Sequence, residues 1–519
     1  MKRMLMALLA VFMTVAAFAQ KAKQDGVDLR LLNYGPMLAG NEIKGYYFFY
    51  YLDKAEGGQL NYRIDIYDEN FNEANSFEIT KSKMYSLRSA TYNGEAFLLD
   101  FFSSESQNED LITYDKTGKV IDEYVTPQMS GMEVYLTNAY SSAKGNENPD
   151  LTSVNDKGFL KFTVKYDNKL KKTGYKITSY TNDLKEDWHI EPPLSDQHRF
   201  ESFQTLYTDN NYIVGVVWAN DKMMSADISY YMTVIDLSSH KILFHTPTAD
   251  TKYRLIPTGA FYDSTTNQFV AVGEYYDVND KGGKKRSEGI GMFSFDTKGV
   301  AKSKKFLGWT TDVNKQIPVN SKGKLEDGGY LSFERVFKTS DGKIFAIAEQ
   351  FKKEANAAGV AMAVLTGGRS AGAVSVVDIK VMDLMVFEFN PDFSLAKVST
   401  FEKQDHAVSL PSTLAYYPLQ VCAMMMKYYG LFDYNFYKFS PDGKSFSVCY
   451  DITTRKKDEV AKIGNIVYTP EGKLVNSTID LPNKPTFFTA LPAKWGYVGV
   501  TQYFKKEKKI DRRLEKLDY

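Results

Sequence analysis

One short pattern recurs along almost the whole chain and constrains its fold more than any other feature. A stretch of alternating apolar residues ends in Asp, Asn or Thr, and a turn follows. The eight copies end at Asp68, Asp115, Thr181, Asp236, Asp296, Asn390, Thr469 and Asp518. The first two copies are 47 residues apart and the last two are 49 apart, close to the roughly 40–50 residues of a four-stranded propeller blade. The longer intervals indicate blades that carry insertions.

The residues ahead of each copy support a sheet-rich unit. A second, strongly apolar stretch precedes most copies, as in Ala96–Asp100, Tyr212–Trp218 and Ile344–Ala348, which is typical of strands buried on both faces. Aromatic residues make up 14% of the chain, and Tyr and Phe favour strands. The sequence therefore predicts an all-β fold: a β-propeller of eight blades, or of seven if one copy is spurious. A pair of β-sandwiches is the main alternative.

The ends of the chain predict how the ring closes. Asp518 is the penultimate residue, so the last blade has no sequence left for its outer strand. The segment 27–32 near the other end is a spare strand. We predict that residues 27–32 pair with residues 512–518, because a ring closed by both termini has no exposed edge.

Residues 1–19 predict a signal peptide. Lys2 and Arg3 precede an apolar run of about fifteen residues, too short to span a bilayer as a membrane anchor would, and Ala17-Phe18-Ala19 matches a cleavage site. No second such run follows, so we expect no transmembrane helix. The prediction is an exported protein of the periplasm or outer cell envelope. Residues 20–519 would form one propeller domain with insertions at 310–329 and 355–377.

The charge content argues against a nucleic-acid partner, and the two cysteines raise the question of a disulfide bond. Lys and Arg together number 64, as do Asp and Glu, so no large positive field exists to attract nucleic acid. Cys422 and Cys449 both lie in apolar surroundings. We expect two buried thiols, with a disulfide bond as the alternative.

No motif identifies a catalytic residue, a metal site or a cofactor. The five histidines have no zinc-ligand spacing, and the sequence contains no nucleophile elbow or phosphate-binding loop. Asp277 to Glu288 partly matches a calcium loop, but Lys281 stands where an oxygen ligand belongs. A solvated connection between two strands is the preferred interpretation of this segment.

The insertion 310–329 could roof a ligand pocket. The candidate pocket residues are Trp309, Asp312, Glu326 and Asp327. A plain surface loop is the alternative, and the polar composition of the segment fits both.

The insertion 355–377 is rich in Ala, Val and Gly and reads as a hairpin that extends two strands of the sixth repeat, although its Ala content also permits a helix. An exposed apolar projection marks a contact with a partner or a membrane surface. The candidate contact residues are Val360, Met362, Val364 and Leu365. The alternative is that the segment folds back into the core.

Two short segments carry a family resemblance. Gly45–Tyr50 and the turn Tyr67–Asn72, with the signal peptide, resemble uncharacterised secreted bacterial proteins of unknown function. The resemblance implies no activity. We expect a non-catalytic binding or assembly module with a protein or glycan partner; the alternative is a propeller hydrolase or lyase that acts on glycans.

Overall fold

The computed structural model is built of eight antiparallel sheets that follow one another along the chain. The described residues are 21–24, 30–39, 42–141, 151–154, 158–222, 227–280, 286–356, 361, 377–409, 419–428, 430–452, 461–481 and 485–519. Seven sheets have four strands, and the sixth has a fifth strand on its third. The predicted eight-bladed β-propeller is confirmed.

The strands are numbered in chain order, and consecutive strands form each blade. Blade 1 consists of β2 (Arg30–Ala39), β3 (Glu42–Ala55), β4 (Gln59–Asp68) and β5 (Glu73–Ser82), and blade 2 of β6 (Tyr85–Tyr92), β7 (Ala96–Ser103), β8 (Asn108–Asp115) and β9 (Val120–Val125). Blade 3 consists of β10 (Leu151–Val154), β11 (Gly158–Asp167), β12 (Lys172–Tyr180) and β13 (Glu186–Ile190), and blade 4 of β14 (Phe200–Thr208), β15 (Tyr212–Asn220), β16 (Ser229–Asp236) and β17 (Lys241–Pro247).

Blade 5 consists of β18 (Tyr253–Asp263), β19 (Gln268–Asp277), β20 (Gly289–Phe295) and β21 (Ala301–Gly308), and blade 6 of β22 (Tyr330–Lys338), β23 (Ile344–Ala355), β24 (Val377–Phe389), β25 (Leu395–Phe401) and β26 (His406–Ser409). Blade 7 consists of β27 (Tyr434–Phe439), β28 (Phe446–Ile452), β29 (Lys462–Tyr468) and β30 (Leu474–Asp480), and blade 8 of β31 (Phe487–Pro492), β32 (Tyr497–Phe504), β33 (Lys509–Lys516) and β1 (Lys21–Gln24).

Position within a blade sets the burial of each strand. The first strands of successive blades contact one another, as β2 contacts β6 and β18 contacts β22, and so form the inner ring. Second and third strands are packed between neighbouring blades: every residue of β7 and of β20 is buried. The core is therefore a series of apolar layers between sheets, which explains the near-continuous apolar stretches in the sequence.

The ring is closed by an N-terminal strand, as predicted, but not by the predicted segment. Lys21–Gln24 pairs antiparallel with Ile510–Arg513 and supplies the fourth strand of blade 8. The prediction that residues 27–32 do this was wrong. Arg30 to Leu32 begin β2, the inner strand of blade 1, which pairs with β3 across a two-residue connection. A local hairpin costs less chain entropy than a pairing across the whole sequence, so the apolar segment joins its neighbour.

In the first seven copies, the polar residue that ends the copy lies at the turn after the third strand. In blade 2, Asp115 Oδ1 accepts hydrogen bonds from the backbone N–H of Thr117 at 2.8 Å and of Lys119 at 3.0 Å. Asp296 makes the same bonds with Lys298 and Val300 in blade 5. The hydrogen bond from the Lys302 side chain, and after it these backbone bonds, lower the pKa of Asp296 to about 2. A short acceptor side chain at this position satisfies the turn backbone, which is why the repeat is visible in the sequence.

Gly118 provides a test of this turn. Its φ is +87°, and an added Cβ would lie 2.4 Å from Cγ of Phe77 on blade 1. Gly118→Ala should lower the free energy of unfolding by about 2–4 kcal/mol, through the left-handed backbone and overpacking together. Gly57, with φ +67° and no atom within 4 Å of the added Cβ, is the matched control: Gly57→Ala should cost only about 1 kcal/mol. Equal losses in urea denaturation would contradict the packing argument.

Within the described residues, two α-helices connect blades. The first, α1 (Gly131–Ser141), follows blade 2, and the second, α2 (Leu419–Tyr428), precedes blade 7. Cys422 and Met426 of α2 pack with Phe351 and Ile379, at the extended ends of β23 and β24. Neither α1 nor α2 was predicted from the sequence. In the part of the chain that is described, no helix is long and apolar enough to cross a membrane.

Candidate functional site

A cleft of about 440 Å³ opens where blade 6 meets the loop that joins it to blade 5. Four of the nine lining residues are basic and two are acidic. The lining residues are Arg286, Lys324, Asp327, Gly328, Tyr330, Lys352, Lys353, Glu354 and Leu419. The excess of positive charge around a concave surface fits an anionic ligand.

Three parts of the fold bring these side chains together: the end of β23, the connection between β19 and β20, and the loop before β22, which carries Lys324 and Asp327. Strand β23 runs past its neighbour β22, whose first residue, Tyr330, lies opposite Phe351, so Lys352 to Glu354 project at the end of the sheet. Arg286 comes from the connection within blade 5, and its guanidinium carbon lies 4.6 Å from the centroid of the Tyr330 ring. Stacking on an aromatic face holds the guanidinium in place while its N–H groups stay available at the rim.

The two carboxylates of the cleft are held by hydrogen-bond donors. Glu354 Oε1 is 2.9 Å from Lys352 Nζ. Asp327 Oδ1 accepts hydrogen bonds from the side-chain amide of Gln350 and from the backbone N–H of Gly329. Both carboxylates keep further lone pairs, so the cleft can accept hydrogen bonds from a ligand as well as bind its negative charge.

The structure separates the four candidate pocket residues of the 310–329 segment. Asp327 lines the cleft. Trp309 is 2% exposed, packs in the core between blades 5 and 6, and donates from Nε1 to the carbonyl of Ser287 at 2.9 Å. Asp312 accepts a hydrogen bond from the backbone N–H of Gly308, and Glu326 is exposed. Apolar side chains within the segment, Val313, Val319 and Leu325, join the same core as Trp309.

The other sequence candidates fall partly outside the described residues. Val360, Met362, Val364 and Leu365 all lie outside them, between the paired ends Ala355 and Val377 of β23 and β24. Residues 281–285 of the partial calcium loop also lie outside, and the loop connects β19 to β20. Among the residues that the structure describes, no group of three or more His, Cys, Asp or Glu side chains could hold a metal ion. Cys422 and Cys449 are buried and are not joined by a disulfide bond.

A buried cluster of charges lies between blades 6 and 7. Lys403 Nζ is 3.0 Å from Glu349 Oε1 and also pairs with Asp433; the side chains of Lys403 and Glu349 are fully buried. Glu349 further accepts hydrogen bonds from the backbone N–H groups of Asp433 and Tyr434. Burial alone would lower the pKa of Lys403, but the two carboxylates raise it to about 12. The cluster therefore links Glu349 and Lys403 of blade 6 to the residues at the start of blade 7.

Burial also perturbs a carboxyl next to this cluster. Asp451, on β28, accepts a hydrogen bond from the side-chain amide of Asn435 at 2.8 Å. Its pKa is raised to about 7, mainly by burial and further by Asp433.

A second buried charge network lies between blades 2 and 3, where Lys161 bridges Asp100 at 2.6 Å and Glu109 at 3.2 Å.

Sequence reasoning missed most of the cleft. Arg286, Tyr330, Lys352 and Lys353 were not candidates, although the basic pair Lys352-Lys353 and the basic run that ends at Arg286 are visible beside the two insertions. Clusters of basic residues next to insertions were the available signal. Which of them share a cleft depends on contacts between blades, and local patterns carry no information on these contacts.

Comparison with solved structures returns matches of low similarity. Three examples are the β-propeller domain of the Trilobed protease from Pyrococcus furiosus (13% identity, 74% of this chain and 98% of that one, TM-score 0.29), a puromycin-hydrolyzing peptidase from Mycobacterium tuberculosis (11%, 92% and 58%, 0.37), and the WD40 domain of SCAP from fission yeast (9%, 95% and 98%, 0.26). The chain spans 46% to 59% of the length of five chains described as peptidases. Because these TM-scores are low, we assign the fold from the eight sheets of the structure and not from these comparisons.

Sequence comparison gives a family without an activity. None of the curated proteins matches the sequence. One family of proteins matches residues 1–518, nearly the whole chain. The chain belongs to this family, the family of unknown function DUF6770.

Proposed function

We propose that this protein is an exported, non-catalytic binding module of a bacterial cell envelope, and that the cleft beside blade 6 binds a small acidic saccharide. The observation that carries the proposal is the convergence of Arg286, Lys324, Lys352 and Lys353 on one cleft. Such a set of cations binds a carboxylate or sulfate group of a ligand through charge-assisted hydrogen bonds.

The acidic and aromatic lining favours a saccharide over a simple anion. Asp327 and Glu354 offer oxygen acceptors, which would repel a bare anion but accept hydrogen bonds from sugar hydroxyl groups. A ligand that carries both an acidic group and several hydroxyl groups satisfies the whole lining. A simple inorganic anion satisfies only the basic half of it.

Binding should depend on charge at the cleft and on salt. Arg286→Gln and Lys353→Gln should each weaken the binding of a uronic acid oligosaccharide about five- to tenfold, because each removes one charge-assisted contact, roughly 1–1.4 kcal/mol. Affinity should also fall between 50 and 300 mM salt. Isothermal titration calorimetry on the full chain measures both effects.

Lys473→Gln is the matched control, because Lys473 is exposed on a turn of blade 7 and does not line the cleft. Equal affinity for a neutral oligosaccharide, or no effect of either cleft substitution, would contradict the proposal. Release of shortened or unsaturated sugars during the titration would instead support the alternative, a glycan hydrolase or lyase.

A further inference from the structure

The outer strand of blade 2, β9, is exposed at every one of its six positions. Four of these residues are large and apolar: Val120, Ile121, Tyr124 and Val125 are 39% to 48% exposed. They make up four of the eleven exposed large hydrophobic residues among the described part of the chain. Every other outer strand whose side chains are described has at least one buried or half-buried residue, so β9 is the most exposed of these strands.

One edge of β9 has no neighbour within the described residues. The strand pairs with β8, from Asp110 opposite Val125 to Tyr114 opposite Val120, and ends its sheet. Edge strands are usually protected by charged side chains, especially Lys, or by Pro. The outer strand of blade 5, β21, carries Lys302, Lys304 and Lys305, whereas β9 contains no lysine and no proline and its charged residues are both acidic. An open edge that is otherwise apolar is a template for the backbone of another strand.

The charges of β9 decide which strand fits. Asp122 and Glu123 lie at its centre, and β9 contains no basic residue. Glu123 Oε1 is 2.8 Å from Lys81 Nζ, but Lys81 is shared with Asp110 at 2.5 Å. If a second copy paired antiparallel about the strand centre, Asp122 would lie opposite Glu123 of that copy. Like charges opposite each other destabilise a strand pair, and opposite charges stabilise it.

We propose that β9 is a docking strand for an extended segment of another protein, which adds to blade 2 as a fifth strand. The segment carries apolar residues at its ends and Lys or Arg at its centre, opposite Asp122 and Glu123. Backbone hydrogen bonds to the open edge provide affinity, and the central charges select the partner. This site is independent of the anionic-ligand cleft.

Two labelled peptides test the proposal by fluorescence anisotropy with the full chain. Both alternate Val and Thr; one has two central lysines and the other two central glutamates. The lysine peptide should bind about tenfold more tightly, because two cross-strand pairs change from attraction to repulsion. The double variant Asp122→Lys, Glu123→Lys should reverse the preference. Glu471→Lys, at an exposed position in blade 7, should leave it unchanged.

A backbone variant separates docking from general charge attraction. The N–H of Thr126 donates to the carbonyl of Glu109 on β8, so by the alternation of a strand the N–H of Val125 points to the open edge. Val125→Pro should abolish peptide binding while the melting temperature stays within about 2 °C, since proline is tolerated at strand edges. Equal binding of both peptides, no binding of either, or self-association of the chain that Val125→Pro removes would each overturn the proposal.

Discussion

Replacing Lys403 with methionine is expected to lower the free energy of unfolding by about 3–5 kcal/mol at pH 7.5. The substitution roughly preserves the volume but leaves Glu349 and Asp433 close together without the cation that bridges them. Two buried carboxylates without a countercharge repel each other and lose their hydration. Urea denaturation followed by circular dichroism measures the loss.

The loss should grow as the pH is raised from about 8 to about 9.5. Burial raises the pKa of Glu349 to about 8 in the folded protein, and removal of the Lys403 charge raises it further. The folded variant then keeps a proton that the folded wild type and the unfolded chain have released, so only the variant loses stability with rising pH in this range. Lys473→Met, at an exposed turn of blade 7, should change stability by less than about 0.5 kcal/mol. A loss that is independent of pH would show that packing, not charge, is responsible.

Replacing Arg512 with alanine should also cost about 3–5 kcal/mol. Arg512 lies on β33 at the seam between blades 8 and 1 and is fully buried. Its guanidinium carbon is 4.3 Å from the centroid of the Phe48 ring and 4.7 Å from that of Tyr67, and Nη1 donates to the Tyr67 hydroxyl at 2.9 Å. The alanine variant loses these contacts and leaves a cavity at the closing seam.

The methionine variant of the same residue should be much less affected. Burial lowers the pKa of Arg512 to about 9, so desolvation of the guanidinium works against its packing. Arg512→Met fills most of the volume without a buried charge and should cost about 1–2 kcal/mol at most. Arg199→Ala, at an exposed arginine, is the control in the same denaturation assay. If alanine and methionine gave equal losses, the cavity would not be the cause.

The fold was predictable because its repeat has a local cause. The side chain of Asp115 or Asp296 satisfies its own turn, and the alternation before it reflects burial between blades, so each blade leaves a mark in consecutive residues. The expected membership in a family of unknown function is confirmed by the family match over residues 1–518, while secretion and a bacterial source stay predictions. The prediction of the segment that closes the ring was wrong because apolar character alone does not distinguish the inner strand of a blade from a closing strand.

The functional surfaces were less accessible to sequence reasoning. Trp309 reads as a pocket residue beside a polar segment, yet Val313, Val319 and Leu325 within that segment bring it into the core. The cleft draws Arg286, Asp327 and Lys353 from three separate stretches of the chain. Neither arrangement follows from spacing or periodicity, since both depend on how blades 5 and 6 pack.

The pairing of Lys21–Gln24 with Ile510–Arg513 also affects the order in which the strands pair during folding. Of the strands that the structure describes, β1 is synthesised first and its partner β33 last. Pairings so distant in sequence form late, because the intervening chain must be ordered first. Until then the outer edge of β33 stays open to strands of other chains. The yield of folded protein should therefore fall as the concentration of newly made chains rises, even where each blade is stable.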